Sequence, residues 1–387
     1  MVKPSHEFYQ EFIQSCKDAF IGRDLEFECL ATALISGMPL CLVGAPGTGK
    51  SRAVTEFSKA INKGFFVYLI TRYTTPDELF GHFSLKALKE RDSYERQMKG
   101  KLPEAEVVFL DEVFKASSAL LNSLLTVMNE GEVDVGNGQR KKTDIQLFVG
   151  ASNEYPFDDE SLGALWDRWV FRCNVADIPL MKKDKSGKTN FDRLINDQSL
   201  GTVNYKLDFD HVVKIKDNAA KVDVSPVMQD IEKIMAFLMS KKIHVSSRRW
   251  RKVVQVIKAR AAMDGRTEAK PIDLLILSEV LWNRPEQRPA IARFIRETCA
   301  GMLNDAMKYL DAAKQIAQSL NHGSSIAQFS VAKGQILELI RGQGRDLKDS
   351  DDPQIASIYS EVKDIYREIR DKITEINAQD MIDDMVI

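Results

Sequence analysis

Gly44-Ala45-Pro46-Gly47-Thr48-Gly49-Lys50-Ser51 fits G-x-x-x-x-G-K-[ST], the pattern of a phosphate-binding loop. Pro39-Leu40-Cys41-Leu42-Val43 before it reads as a short buried strand, and Arg52 to Ala60 after it as a helix. Strand, glycine loop and helix together give the geometry a triphosphate needs. The glycines let the backbone bend so that N–H groups face the phosphates, and the new helix points its positive end at them. Ala45, Pro46, Gly47, Thr48 and Gly49 then wrap the phosphates, with Arg52 beside them at the helix start. Lys50 is placed to reach the β- and γ-phosphates of a triphosphate, and Ser51 to hold Mg2+.

Val107-Val108-Phe109-Leu110-Asp111-Glu112 is the second signal, about 60 residues downstream. Four apolar residues make a buried strand, and two carboxylates emerge at its C-terminal end, where open α/β sheets bind their ligands. Asp111 is expected to hold the magnesium through water. Glu112 is expected to position and polarise the water that attacks the γ-phosphate. Ile145 to Asn153 is a further buried strand, ending with Asn153 on the same edge, within reach of the γ-phosphate or the attacking water.

The totals are those of an ordinary globular chain of 387 residues, long enough for two or three domains. A net charge of −2 argues against nucleic acid as the partner, as does the lack of an appended DNA-binding motif. The five cysteines are scattered and lie mostly in apolar runs, with no zinc spacing, which points to reduced thiols in the cytoplasm. No apolar run reaches membrane-span length, and the start has no signal-peptide core.

Residues 5–20 have helical spacing, and Ile21-Gly22-Arg23 follows. Gly22 is either a plain turn or, like similar hydrophobic–Gly–Arg elements in many P-loop ATPases, a contact for adenine. Phe65 to Ile70 is a continuous apolar run and reads as a fully buried strand. Thr75-Pro76-Asp77-Glu78 is a helix start, with Thr75 the N-cap. Residues 81–103 read as a surface insertion with His82 in solvent. Ala119 to Met128 reads as an amphipathic helix, and Gly131 to Thr143 as a hairpin turning at Asn137-Gly138.

Arg168, beside bulky apolar residues, either pairs within the chain with an acid such as Asp167 or reaches a nucleotide held by a neighbouring subunit. Lys182 to Asn190 reads as an exposed loop near a domain boundary. Arg248 and Arg249 fall in the first turn of a helix, where cations oppose the macrodipole, so a phosphate there would account for them. Residues 303–340 and 353–378 read as two long helices forming an antiparallel hairpin. In the second, Ile355, Ile358, Val362, Ile365, Ile369, Ile373 and Ile376 resemble a coiled-coil seam.

The order of these pieces resembles the AAA+ ATPases, and within them the MoxR family, most closely its RavA type. The resemblance rests on Gly44–Ser51, Thr75–Gly81, Leu102–Glu112, Ala151-Ser152-Asn153-Glu154, Ala164-Leu165-Trp166-Asp167-Arg168 and Ser246-Ser247-Arg248-Arg249-Trp250, and covers roughly residues 5–295. It implies an α/β fold: a P-loop AAA+ core with a five-stranded parallel sheet at 1–185, an all-α lid at 186–300 and the C-terminal helical hairpin at 301–387. Asp111 and Glu112 become the Walker B pair and Asn153 sensor 1. Arg168 becomes the arginine finger, with Arg172 its rival. Arg248 becomes sensor 2, with Arg249 its rival. A hexameric ring of identical subunits is implied, with nucleotide between them, and chaperone-like remodelling of a protein client, often one carrying a von Willebrand factor A domain. Two other activities fit the motifs: an ATP-gated assembly scaffold, and a nucleic-acid motor.

Overall fold

The computed structural model describes residues 4–157, 162–182, 188–299, 301–320, 324–342, 344 and 353–386. The chain divides into two compact units, residues 1–295 and 296–387.

The first unit is built on five parallel strands: β1 (Leu40–Val43), β2 (Phe65–Leu69), β3 (Val107–Asp111), β6 (Leu147–Ser152) and β7 (Phe171–Asn174), in the order β2-β3-β6-β1-β7. The remaining strands, β4 (Glu132–Gly136) and β5 (Gln139–Lys142), form a separate antiparallel hairpin. Asn137 and Gly138 turn that hairpin with φ of 53° and 70°, the left-handed pair such a tight turn requires. β1 and β6 are buried along their whole length because helices cover both faces of a parallel sheet. β2 departs from expectation. It is the sheet's edge, bonded to β3 alone, and Val67 and Leu69 are more than half exposed. An apolar run alone does not say whether a strand is central or marginal.

Residues 4–19 are helical as expected, with one widened turn over Glu7–Ile13, and bury Phe8, Phe12, Ile13 and Cys16. Helix α1 (Asp24–Ser36) stops at Gly37 and α2 (Lys50–Ile61) at Asn62, both in the left-handed conformation. The insertion after β2 is tied down by Arg96. Its guanidinium bonds Asp77 Oδ1 (2.7 Å) and the carbonyl of Gly81 (2.6 Å), and lies over the Phe83 ring. The insertion packs on the β4–β5 hairpin: Arg96 N donates to Val135 O, and Tyr94 N to Asn137 Oδ1. His82 is exposed.

Helix α3 (Ser118–Glu130) is capped by the Ser117 hydroxyl, and the short α4 (Gly163–Arg168) leads into β7. The expected boundary at 185 lies outside the described residues, as does most of the loop at 182–190. Residues 201–207 run back along α2, with Leu207 N on Ala60 O, and lead into α5 (Phe209–Lys221). α6 (Met228–Ser240) and α7 (Ser247–Met263) follow, and α7 packs on α5 and α1. Glu28 of α1 fixes that packing by accepting from Tyr9, Lys17 and Arg260.

The second unit corrects the expected hairpin. Among the described residues from 301 on it holds α8 (Gly301–Gln318), α9 (Ile326–Arg341) and α10 (Pro353–Val386). What read as one helix over 303–340 is two, because Ser325 starts a new one: its side chain accepts from Gln328 N and its own N–H is bonded by the Gln328 side chain. The core is Ala306, Tyr309 and Ala313 from α8, Phe329, Ala332 and Ile336 from α9, and Val362 and Ile369 from α10. Ile358, Ile365, Ile373 and Ile376 pack against it, while the side chain of Ile355 lies outside the described residues. The intervening stretch 343–352 lies outside them too, save Gly344.

Candidate active site

β1, β3 and β6 are neighbours, and all three end on one edge, which brings the loop after β1, the two carboxylates and Asn153 together. Gly44 is obligatory there: a Cβ would lie 2.2 Å from the carbonyl oxygen of Val175. Gly47 and Gly49 turn the loop at φ of 82° and 83°, so that α2 begins at Lys50. The Lys50 ammonium is buried and donates to Gly44 O (2.7 Å), Ala45 O (2.9 Å) and Asn153 Oδ1 (2.8 Å). Burial lowers its pKa and the Arg23 charge acts in the same direction, while Asp111 and Glu112 oppose it.

Ser51 Oγ donates to Asp111 Oδ2 at 2.8 Å, and Asp111 Oδ1 accepts from Glu112 N at 3.0 Å. Glu112 sits in the left-handed region (φ 54°), a sharp turn immediately after β3. Its Oε1 accepts from Asn153 Nδ2, and Lys115 lies 3.4 Å from Oε2. Lys50, Asn153 and Glu112 therefore form one connected chain, with Ser51 and Asp111 bonded alongside.

A hydroxyl and a carboxylate 2.8 Å apart are hard oxygen donors, and they fit a magnesium ion that keeps waters and phosphate oxygens as its other ligands. Ser51 and Asp111 would hold it, and it would neutralise phosphate charge. Among the described residues there is no cluster of three or more His, Cys, Asp or Glu suited to a metal.

The arginines separate clearly. Arg172 is fully buried: it donates to the carbonyls of Trp166 (2.8 Å), Trp169 (3.2 Å) and Trp282 and to Asn283 Oδ1 (3.0 Å), and stacks on the Trp166 ring. From β7 it ties α4 to residues 282–283. Arg249 is also buried, with Asp167 Oδ1 at 2.6 Å and Asn283 Oδ1 at 2.8 Å. Asp167 is thus hydrogen-bonded to Arg249, while its charge also acts on Arg168. The Arg249–Asp167 pair fastens α7 to α4. Arg52, expected on the nucleotide, has its Nε on Gly201 O at 2.9 Å.

Arg168 is partly exposed, with Nε on Asn129 Oδ1 (3.2 Å) and Nη1 on Ala164 O (3.0 Å). Burial lowers its pKa, and so does the charge of Arg248. Arg248 is exposed, and its charge is also felt by Lys252. Burial and the charges of Arg248, Arg168 and Arg249 all lower the pKa of Lys252, and the charge of Asp167 raises it. Two residues escaped the sequence reading. Asn283 joins Arg172 to Arg249 through one oxygen and had no sequence signal. Arg23 donates from Nε to the carbonyl of Thr48 inside the phosphate loop (3.1 Å), and its place directly after Gly22 was the available clue.

A family model described as the MoxR domain of MoxR-vWA-beta-propeller ternary systems matches residues 7–188, and an AAA lid domain model matches 226–295. The chain belongs to the MoxR family of AAA+ ATPases. Two proteins of Methanocaldococcus jannaschii, whose names assign no function, are 38% and 36% identical over 69% and 68% of this chain and 69% and 67% of their own. The chaperone MoxR1 of Mycobacterium tuberculosis is 24% identical over 41% of this chain and 42% of its own. A crystal structure from Cytophaga hutchinsonii, described as a candidate ATPase, shares the fold with a TM-score of 0.58 at 19% identity, over 76% of this chain and 94% of that one. In this MoxR-family chain no helix, among the described residues, is long and apolar enough to cross a membrane.

Proposed function

We propose that this MoxR-family chain binds ATP with Mg2+, hydrolyses it in a ring of six copies, and uses the cycle to remodel a protein partner in the cytoplasm. The observation that carries the reading is the connected set of Lys50, Asn153 and Glu112 beside the Ser51–Asp111 pair. Each group stands where one task of phosphoryl transfer needs it: Lys50 for phosphate charge, Ser51 and Asp111 for the metal ion, Glu112 for the water, Asn153 for holding Glu112 and Lys50 in register.

Arg168 and Arg248 are not buried, unlike Arg172 and Arg249. We assign Arg168 to a neighbour's γ-phosphate and Arg248 to the nucleotide of its own subunit. Residues 1–185 act as the core, 186–300 as the lid, and the Arg249–Asp167 latch carries movement between them. The matched model's description ties such domains to von Willebrand factor A proteins, and that is the client class we propose.

Dilution tests the assembly. ATP turnover per chain should rise steeply with protein concentration as rings form and then level off. A rate per chain independent of concentration, from a chain shown to be monomeric, contradicts the reading.

A further inference from the structure

Glu112 has a partner besides Asn153. The chain turns at Glu112 directly after β3, and Val113–Lys115 form one 3-10 turn, closed by Lys115 N on Glu112 O at 2.9 Å. A turn this tight brings the side chain at i+3 back over the one at i, so the backbone itself sets Lys115 beside Glu112. The turn is held on both sides. Val113 is fully buried, with its Cγ1 3.2 Å from where a Cβ on Gly150 of β6 would stand. Phe114 packs edge-on against Trp166 of α4, with ring centroids 5.8 Å apart.

The Lys115 ammonium lies 3.4 Å from Glu112 Oε2, and the side chain of Glu112 is 14% exposed against 47% for Lys115. Lys115 therefore stands on the solvent side of the carboxylate. Asn153 takes the other oxygen. Its amide is itself fixed, because Oδ1 accepts from Lys50 and Nδ2 is left to donate to Glu112 Oε1. A carboxylate held at one oxygen still turns about its last bond, where the torsion is broad. Held at one oxygen from β6 and faced by a cation at the other, its plane is set. That matters because a misplacement of about 1 Å in a reacting group costs about a hundredfold in rate.

We propose that Lys115 is a positioning residue for hydrolysis, acting through Glu112 by holding the carboxylate in the plane from which it polarises the attacking water. The proposal rests on the assignment of Glu112 to that water. A half-exposed ion pair adds little to stability, so Lys115 can be replaced without unfolding the chain.

Turnover and equilibrium ATP binding by the full chain, measured side by side, test this. Lys115→Met keeps the length of the side chain and removes its charge. It should lower turnover at saturating ATP about tenfold, a part of the loss expected on removing the base, and leave ATP affinity unchanged. Lys115→Arg keeps a cation over Oε2 and should recover most of the lost turnover. In the Glu112→Gln background Lys115→Met should cost nothing further, because no charge is left to hold. Unchanged or faster turnover by Lys115→Met would overturn the proposal. So would a loss explained by weaker ATP binding, a loss that Lys115→Arg shares, or one that simply adds to that of Glu112→Gln. A parent chain that binds ATP without hydrolysing it would instead refute the reading of the site as hydrolytic, and the proposal with it.

Discussion

Glu112→Gln should bind ATP as tightly as the parent chain and hydrolyse it at least about a hundredfold more slowly, the usual loss when a positioned base is removed. The substitution preserves size, and the new amide oxygen still accepts from Asn153 Nδ2, so the edge of the sheet stays in place. Lys50 and the Ser51–Asp111 pair are untouched, which is why binding survives. What disappears is the negative charge that polarises the attacking water. Phosphate release measures turnover, and equilibrium binding of labelled ATP supplies the control. Full turnover by the variant would remove Glu112 from the chemistry.

Arg172→Met should cost about 3 kcal/mol of stability. The change strips donors from the carbonyls of Trp166, Trp169 and Trp282, all buried, and each unpaired buried acceptor costs about 1–3 kcal/mol. Replacing a buried cation by an apolar chain returns part of that, because its desolvation is avoided, yet the carbonyls stay behind unpaired. Asn283 also loses one of the two guanidinium groups that fix it, which loosens Arg249 and hence α7. A thermal melt should show a drop of several degrees. A variant that melts like the parent chain but has lost turnover would return Arg172 to the catalytic site as the finger.

The contrast between Arg168 and Arg172 also marks how far the sequence could be read. The two lie four residues apart in one apolar stretch and look alike as letters. Their difference comes from Asn283 and Trp282, more than a hundred residues away, which no local pattern reveals. Arg248 and Arg249 pose the same problem, decided by a distant Asp167. By contrast the glycine loop and the Val107–Glu112 strand were legible because their chemistry is local: the loop must bend at its glycines, and the carboxylates must follow an apolar strand. The fully apolar β2 misled because hydrophobicity reports contact with other atoms, not how many strands flank it. The broken helix near 320 had a readable cue in Ser319 to Ser325, where Asn321, His322 and Gly323 stand among serines, but the hydrophobic spacing on either side outweighed it. Arg23 was within reach: an arginine directly after Gly22, next to the apolar Ile21, needs partners, and a carbonyl of the phosphate loop supplies one.

The central claim is that one subunit's phosphate loop is completed by its neighbour's arginine, and mixing two inactive variants tests it most directly. Arg168→Ala keeps Glu112 and lacks the finger. Glu112→Gln keeps the finger and lacks the base. Each alone should be silent. Mixed one to one, turnover should return at about a quarter of the sites, those where an intact Glu112 faces an intact Arg168 across a randomly mixed closed ring. No turnover in the mixture, with co-assembly of differently tagged chains demonstrated, would contradict completion of the site in trans.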